Sequence, residues 1–189
     1  MNIPFLRAVA LAAALGLGAL GNASAAVYTA LDTDASSVTF GYSQMNVSMD
    51  GSFGKIKATE FNFDPQNPEA AKVTIEIALA SIDAGYEEAN AELEKDEWLA
   101  LGQHPLATFT SKKVEALTNG YQVIGDLSIK GKTKEVTVPF SFKEHGNTGV
   151  FEGSFTFHRA DFGVGEGQWK DFSIVANDIA IKFNIVAKP

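Results

Sequence analysis

Apolar residues recur at every second position through most of this chain, and no other feature constrains its fold as strongly. Val73, Ile75, Ile77 and Leu79 alternate with Thr74, Glu76 and Ala78. Val136, Val138, Phe140 and Phe142 alternate with Thr137, Pro139 and Ser141, and Ile179, Ile181, Phe183 and Ile185 with Ala180, Lys182 and Asn184. A period of two belongs to strands with one face in an apolar interior and the other in water. Weaker copies run over 38–47, 53–63, 108–116, 121–129 and 150–158, which makes about eight strands. Turn signals at Met49-Asp50-Gly51, Asn119-Gly120 and His145-Gly146-Asn147 separate them. Connections this short give antiparallel pairs, since parallel ones need crossovers of about a dozen residues. Eight such strands form a sandwich or close into a barrel, and the pattern leaves both open.

The remaining features narrow the function classes. Fifteen Lys+Arg stand against 23 Asp+Glu, a formal net charge of −8. That balance offers nothing to neutralise a nucleic-acid backbone or to hold anionic lipid. The chain has no Cys, so disulfides, thiolate catalysis and Cys-ligated metals are excluded. At the start, Arg7, an apolar run over residues 8–20 and Ala23-Ser24-Ala25 follow the order of a secretory signal peptide, with cleavage expected before Ala26. The domain is then residues 26–189, with 14 basic and 23 acidic residues and no linker or repeat. It is expected to be exported and soluble.

One segment breaks the strand rhythm. Residues 86–101 lack Gly and Pro, and Ala89, Leu93 and Leu101 fall near helical spacing. The spacing predicts a helix or a pair of helical turns, ending before Gly102 and Pro105. It carries six acidic residues against Lys95 alone. It reads as a solvated helix face, a reading compatible with a lid over one barrel mouth with Trp98 and Leu101 turned inward.

Catalytic motifs are missing. Gly131-Lys132-Thr133 lies between two strands rather than opening a helix, and reads as a hairpin turn. Gly163-Val164-Gly165-Glu166-Gly167 lacks dinucleotide spacing and reads as an irregular loop. His104, His145 and His158 form no metal-ligand pattern, and no Gly-x-Ser-x-Gly elbow presents a nucleophile. The expectation is a non-enzyme without a metal.

The aromatics say more. Thirteen of the 14 Phe lie beyond residue 25, several as same-face pairs: Phe61 and Phe63, Phe140 and Phe142, Phe155 and Phe157. They would fill a core or line a hollow, and an eight-stranded closed sheet is wide enough for either. If the strand through Phe155 and Phe157 continues, Arg159 and Asp161 join the same face as a polar end to an apolar wall. They would meet a ligand's head group, or pair with each other to close the barrel.

Four stretches in register resemble the YceI family. They are Leu31-Asp32 through Val38-Thr39-Phe40 to Gly51-Ser52-Phe53; His104-Pro105-Leu106-Ala107-Thr108-Phe109-Thr110-Ser111; Val123-Ile124-Gly125-Asp126-Leu127-Ser128-Ile129-Lys130-Gly131; and Arg159-Ala160-Asp161-Phe162-Gly163-Val164. The resemblance runs from about residue 27 to 187. It implies an all-β, eight-stranded antiparallel lipocalin-like barrel, exported to the periplasm, that holds a long isoprenoid chain and performs no catalytic step. The expected lining is Phe40, Phe61, Phe63, Trp98, Leu127, Phe140, Phe142, Phe155, Phe157 and Trp169, with Arg159 and Asp161 at the head group; the resemblance itself places the Arg159-Ala160-Asp161-Phe162-Gly163 stretch nearest the cavity. The family's basic residue and His before its "F-F-d" segment are replaced by the acidic stretch Asn90-Ala91-Glu92-Leu93-Glu94-Lys95-Asp96-Glu97-Trp98-Leu99. A neutral isoprenoid such as a quinone fits that mouth better than a pyrophosphate. No cofactor is implied beyond such a bound lipid or quinone. The other reading is a filled barrel that docks a membrane redox protein through its acidic helix. Either form is expected as a monomer or homodimer.

Overall fold

The computed structural model describes residues 26–189. The signal-peptide expectation concerns residues 1–25 and lies outside the described residues. Eleven strands form one antiparallel sheet: β1 (Ala30–Leu31), β2 (Ser37–Gln44), β3 (Val47–Phe53), β4 (Ile56–Asn62), β5 (Lys72–Ala78), β6 (Ile82–Asp83), β7 (Leu106–Leu117), β8 (Gly120–Ile129), β9 (Lys132–His145), β10 (Thr148–His158) and β11 (Asp178–Lys188). They pair in the order β4-β5-β7-β8-β9-β10-β11-β2-β3-β6, with β1 beside β11. Nine are long and two have only two residues, where the alternation predicts eight. The sheet curls into a half-barrel whose two edges are drawn together by short links. Tyr28 exchanges both backbone hydrogen bonds with Phe63 at 2.9 and 3.0 Å, and Thr29 N–H donates to Lys188 O at 2.8 Å, so the N-terminal segment bridges β4 and β11. At the opposite end, Gly54 N–H donates to Ser81 O at 3.0 Å.

The extra strand corrects the expected boundaries. The run over 38–47 folds back at Met45 and Asn46, both at positive φ (50° and 64°), and the turn they make matches the twist of a two-residue hairpin. The expected turn at Met49-Asp50-Gly51 instead lies within β3. Gly51 faces Phe40 across the ladder, and a Cβ there would come within 2.2 Å of the Phe40 ring. The glycine gives the aromatic ring its place rather than turning the chain. The run over 53–63 is likewise interrupted at Gly54.

The helix is shorter than its spacing predicts: α1 is Glu87–Leu93, followed by turns. Trp98, Leu99 and Ala100 are all buried. Three consecutive side chains cannot share one helix face, so the chain leaves helical geometry to bury them.

Two apolar clusters pack the ends of the barrel. Tyr28, Phe63, Val114, Val123 and Phe151 belong to one, and Leu79, Trp98, Leu99, Leu127 and Phe162 to the other. Phe53, Phe109 and Phe155 touch both while remaining only partly buried. The middle of the barrel is therefore not packed shut.

Candidate functional site

Between the two clusters lies a cavity of about 500 Å³, within the roughly 300–1,000 Å³ typical of small-molecule sites. Every long strand contributes to its wall: Phe40 from β2, Phe53 from β3, Phe61 from β4, Ile75 and Ile77 from β5, Phe109 from β7, Leu127 from β8, Phe140 from β9, Phe155 and Phe157 from β10, Ile181 and Phe183 from β11. These are inward positions of the alternation, so one periodic pattern from nine strands makes one continuous apolar surface. The interior is hollow, and a filled barrel does not describe it.

Of the residues nominated for the lining, Phe40, Phe61, Phe63, Trp98, Leu127, Phe140, Phe155, Phe157 and Trp169 border the cavity. Phe142 does not. Its ring packs on Tyr28, Phe63 and Phe151 at centroid distances of 5.4, 5.0 and 4.9 Å, within the end cluster. The nominated set also misses Phe53, Phe109, Phe151 and Phe183. Phe183 stood in a quoted alternation, and Phe53 and Phe109 in the family-like stretches, so the signal for these three was present.

The head-group expectation requires correction. β10 ends at His158, and Arg159–Phe162 forms a 3₁₀ turn, so Arg159 and Asp161 do not share a strand face. Asp161 is exposed, with its side chain 54% accessible, and lies 4.0 Å from His158. Arg159 is 1% exposed. It borders the cavity, but its guanidinium is directed at the main chain. Nε donates to Ala176 O at 3.0 Å, Nη1 to Val164 O and Gly165 O at 2.8 and 3.0 Å, and Nη2 to Trp169 O and Val175 O at 2.6 and 2.7 Å. A guanidinium has five N–H donors, and all five are spent. Burial pulls its pKa below the ordinary arginine value, from a starting point so high that the charge is kept. Trp98 and Phe172 rings cover it at 5.4 and 5.2 Å. Arg159 thus fastens the irregular loop over residues 163–176 to the end of β10.

Gly165 is fitted to that arrangement. Its φ is +77°, and a Cβ would stand 2.0 Å from Arg159 Nη1. Gly165→Ala is expected to cost roughly 2–4 kcal/mol, through left-handed backbone strain and displacement of the guanidinium. A urea midpoint unchanged from wild type would show that the loop can move aside.

Two segments cover the mouth and are tied to each other. Glu88, Ala89, Glu92 and Leu93 of α1 border the cavity, as does Trp169 of the 3₁₀ turn Gly167–Lys170. Trp169 Nε1 donates to Glu92 Oε1 at 3.2 Å. Gly165 and Glu166 N–H both donate to Glu97 O at 2.8 Å. At the rim, Tyr42 donates its hydroxyl proton to Ala84 O at 3.1 Å, and Tyr86 to Gln44 Oε1 at 3.0 Å. The hydrogen bond and charge of Lys95, with smaller help from the indole N–H groups of Trp169 and Trp98, hold the Glu92 carboxyl below the usual glutamate range. A carboxyl lowered in the folded state keeps its contribution above the unfolded pKa and loses it as pH falls through the folded one. The Trp169 latch is therefore expected to persist through mild acid and to weaken only below the ordinary glutamate value of about 4.3. Trp169 fluorescence in a Trp98→Phe background, followed from pH 7 to 3, reads this directly; a midpoint above that value would contradict it.

Among the described residues, no three His, Asp or Glu side chains are grouped to hold a metal ion. The site is thus a cavity with a largely hydrocarbon lining, in which Gln44, Glu88, Glu92 and Arg159 are the amide and charged members. The family model for the YceI-like domain matches residues 29–187. The chain belongs to the YceI family.

Relatives of this YceI-family chain include a UPF0312 protein of Yersinia enterocolitica, 36% identical over 128 residues, covering 67% of this chain and 64% of the relative. Another, from Pseudomonas paraeruginosa, is 36% identical over 110 residues, covering 55% of this chain and 58% of the relative. The matches thus span less than two thirds of these relatives' lengths. Among solved structures, BcnA of Burkholderia cenocepacia superposes with a TM-score of 0.80 at 37% identity, covering 84% of this chain and 99% of that one. A polyisoprenoid binding domain from Saccharophagus degradans has a TM-score of 0.66 at 14% identity, covering 86% and 99%. At that identity the likeness is one of fold. The YceI barrel is the architecture the resemblance implied, with its strand count revised.

Proposed function

We propose that this YceI-family chain is an exported, periplasmic carrier that holds a long apolar lipid of isoprenoid type in its barrel and catalyses no reaction. The observation that carries this reading is the cavity of about 500 Å³ walled almost wholly by aromatic and aliphatic side chains. Desolvation is the driving force, at about 0.8 kcal/mol for each buried methylene, so a long chain needs few polar anchors. The fold it shares with a polyisoprenoid binding domain of another bacterium supports the ligand class. The signal-like start of the chain supports the location. Entry and release require the 86–101 segment or the Gly163–Gly167 loop to open, parting Trp169 from Glu92 and the Gly165 and Glu166 N–H groups from Glu97 O.

Native mass spectrometry of protein taken from its own periplasm, followed by organic extraction, tests the proposal. A retained mass with an isoprenoid fragmentation ladder is expected. Protein that arrives empty and then takes up neither quinone nor polyprenol would sink it.

A further inference from the structure

We propose that the β2–β3 hairpin and the loop beside it dock the protein on a neutral phospholipid surface, with the hairpin's inner face as the ramp by which a lipid reaches the cavity. This docking rests on the lipid-carrier reading and adds the source of the lipid. Met45 is 71% exposed, Val47 59%, Phe172 48% and Tyr86 37%. The chain gathers these four at one lip of the mouth. Met45 N–H donates to Ile174 O at 2.8 Å and Ala176 N–H to Ser43 O at 2.9 Å, which seats the Phe172 loop beside the hairpin. The Tyr86 hydroxyl donates to Gln44 Oε1 at 3.0 Å.

The hairpin's apolar surface is continuous with the cavity. Phe40, Tyr42 and Gln44 of β2 border the cavity. In the ladder Tyr42 stands opposite Met49 and Gln44 opposite Val47, and directly opposed side chains share one face of a sheet. Met49 and Val47 therefore carry the inner face outward, past the rim, to the turn at Met45. Local folding does not call for methionine there. Its φ of +50° is left-handed, and a two-residue hairpin turn of this kind takes Asn, Asp or Gly with least strain. A strained, exposed methionine at the tip of such a ramp is placed for contact with hydrocarbon.

Charge selects the partner. Residues 37–49 and 172–177 contain no Asp, Glu, Lys or Arg, whereas six carboxylates lie from Glu87 to Glu97 at the same mouth. The uncharged lip fits a zwitterionic interface, and the carboxylates repel an anionic one. A basic protein partner would engage the carboxylates and not the hairpin.

The chain has no Cys, so Met45→Cys accepts one environment-sensitive dye at the tip. Leu117→Cys is the control, because Leu117 is 47% exposed and lies in the β7–β8 hairpin beside Tyr121 of the opposite end cluster. With phosphatidylcholine vesicles the dye at 45 is expected to shift to shorter wavelength and the dye at 117 to stay unchanged. High salt should leave that shift in place, and added phosphatidylglycerol should weaken it. Quinone uptake by unlabelled, lipid-free protein is then timed from phosphatidylcholine vesicles, and its affinity measured with quinone delivered from cyclodextrin. Met45→Asn combined with Val47→Ser is expected to slow uptake from vesicles about tenfold, the effect of keeping one apolar side chain out of hydrocarbon. Affinity from cyclodextrin should not change, since neither residue borders the cavity. Both residues are exposed and Asn suits the turn, so the urea midpoint is expected to stay near wild type. An unshifted dye at 45, a shift abolished by salt, or tighter docking on anionic vesicles would overturn the proposal and leave the carrier standing. Equal uptake from vesicles by variant and wild type would also overturn it, and would move the handover to a protein partner. Wild type that binds quinone from neither source removes the carrier reading and the docking with it.

Discussion

Arg159→Met is expected to destabilise the protein by about 2–4 kcal/mol, since a buried neutral acceptor left without its donor costs about 1–3 kcal/mol. The guanidinium satisfies carbonyls of Val164, Gly165, Trp169, Val175 and Ala176, which come from three separate stretches of an irregular loop. Methionine fills the space but donates nothing, so buried acceptors lose their partner. Arg159→Lys is expected to recover only part of the loss, because an ammonium has three donors and no planar fork. A typical domain has only about 5–15 kcal/mol in hand, so the Met variant would unfold at markedly lower urea. Loss of the loop should also release Trp98 and Trp169, whose rings lie 5.3 Å apart, and change the tryptophan emission. A Met variant within about 1 kcal/mol of wild type would mean that the carbonyls find water, and that Arg159 is kept for another purpose.

Ile77→Trp is expected to abolish lipid retention while leaving the fold intact or slightly more stable. Ile77 lies on β5 with its side chain on the cavity wall. A larger ring there extends into empty space instead of a packed core, so cavity filling replaces the usual penalty of overpacking. The ligand loses that volume, and each excluded methylene forfeits about 0.8 kcal/mol. Losing even three or four lowers affinity by about a hundredfold. Phe157→Asp reaches the same end by another route, placing a carboxylate where a hydrocarbon chain must pass. Organic extraction of both variants, with circular dichroism and urea melts, separates the two effects. Lipid retained at wild-type level by folded Ile77→Trp would place the ligand elsewhere.

The candidate site was legible to different depths at different residues. Phe61, Phe63, Phe140, Phe155 and Phe157 could be found because strand alternation assigns a face without knowledge of neighbours. Phe142 obeys the same alternation and still misses the cavity, because the face it shares with Phe140 runs on into the end cluster around Tyr28. Asp161 failed because the strand pattern was extended past His158, where a 3₁₀ turn takes over. The Met45–Asn46 turn carried no glycine signal, and Gly51 carried a false one.

The sequence by itself determined that the chain is antiparallel β, which faces are apolar, and that the interior is rich in phenylalanine. Those are properties of local period and composition, set by backbone geometry within a few residues. Only the tertiary structure decided that the interior is hollow, that Arg159 is spent on five carbonyls, and that Trp98 and Trp169 both meet the Glu92 carboxyl at the mouth. Each depends on how segments far apart in the chain divide a shared volume and a fixed number of hydrogen bonds. Val164 and Val175 reach the same guanidinium as Ala176, and Glu92 meets Trp169 across 77 residues. No local pattern encodes that division.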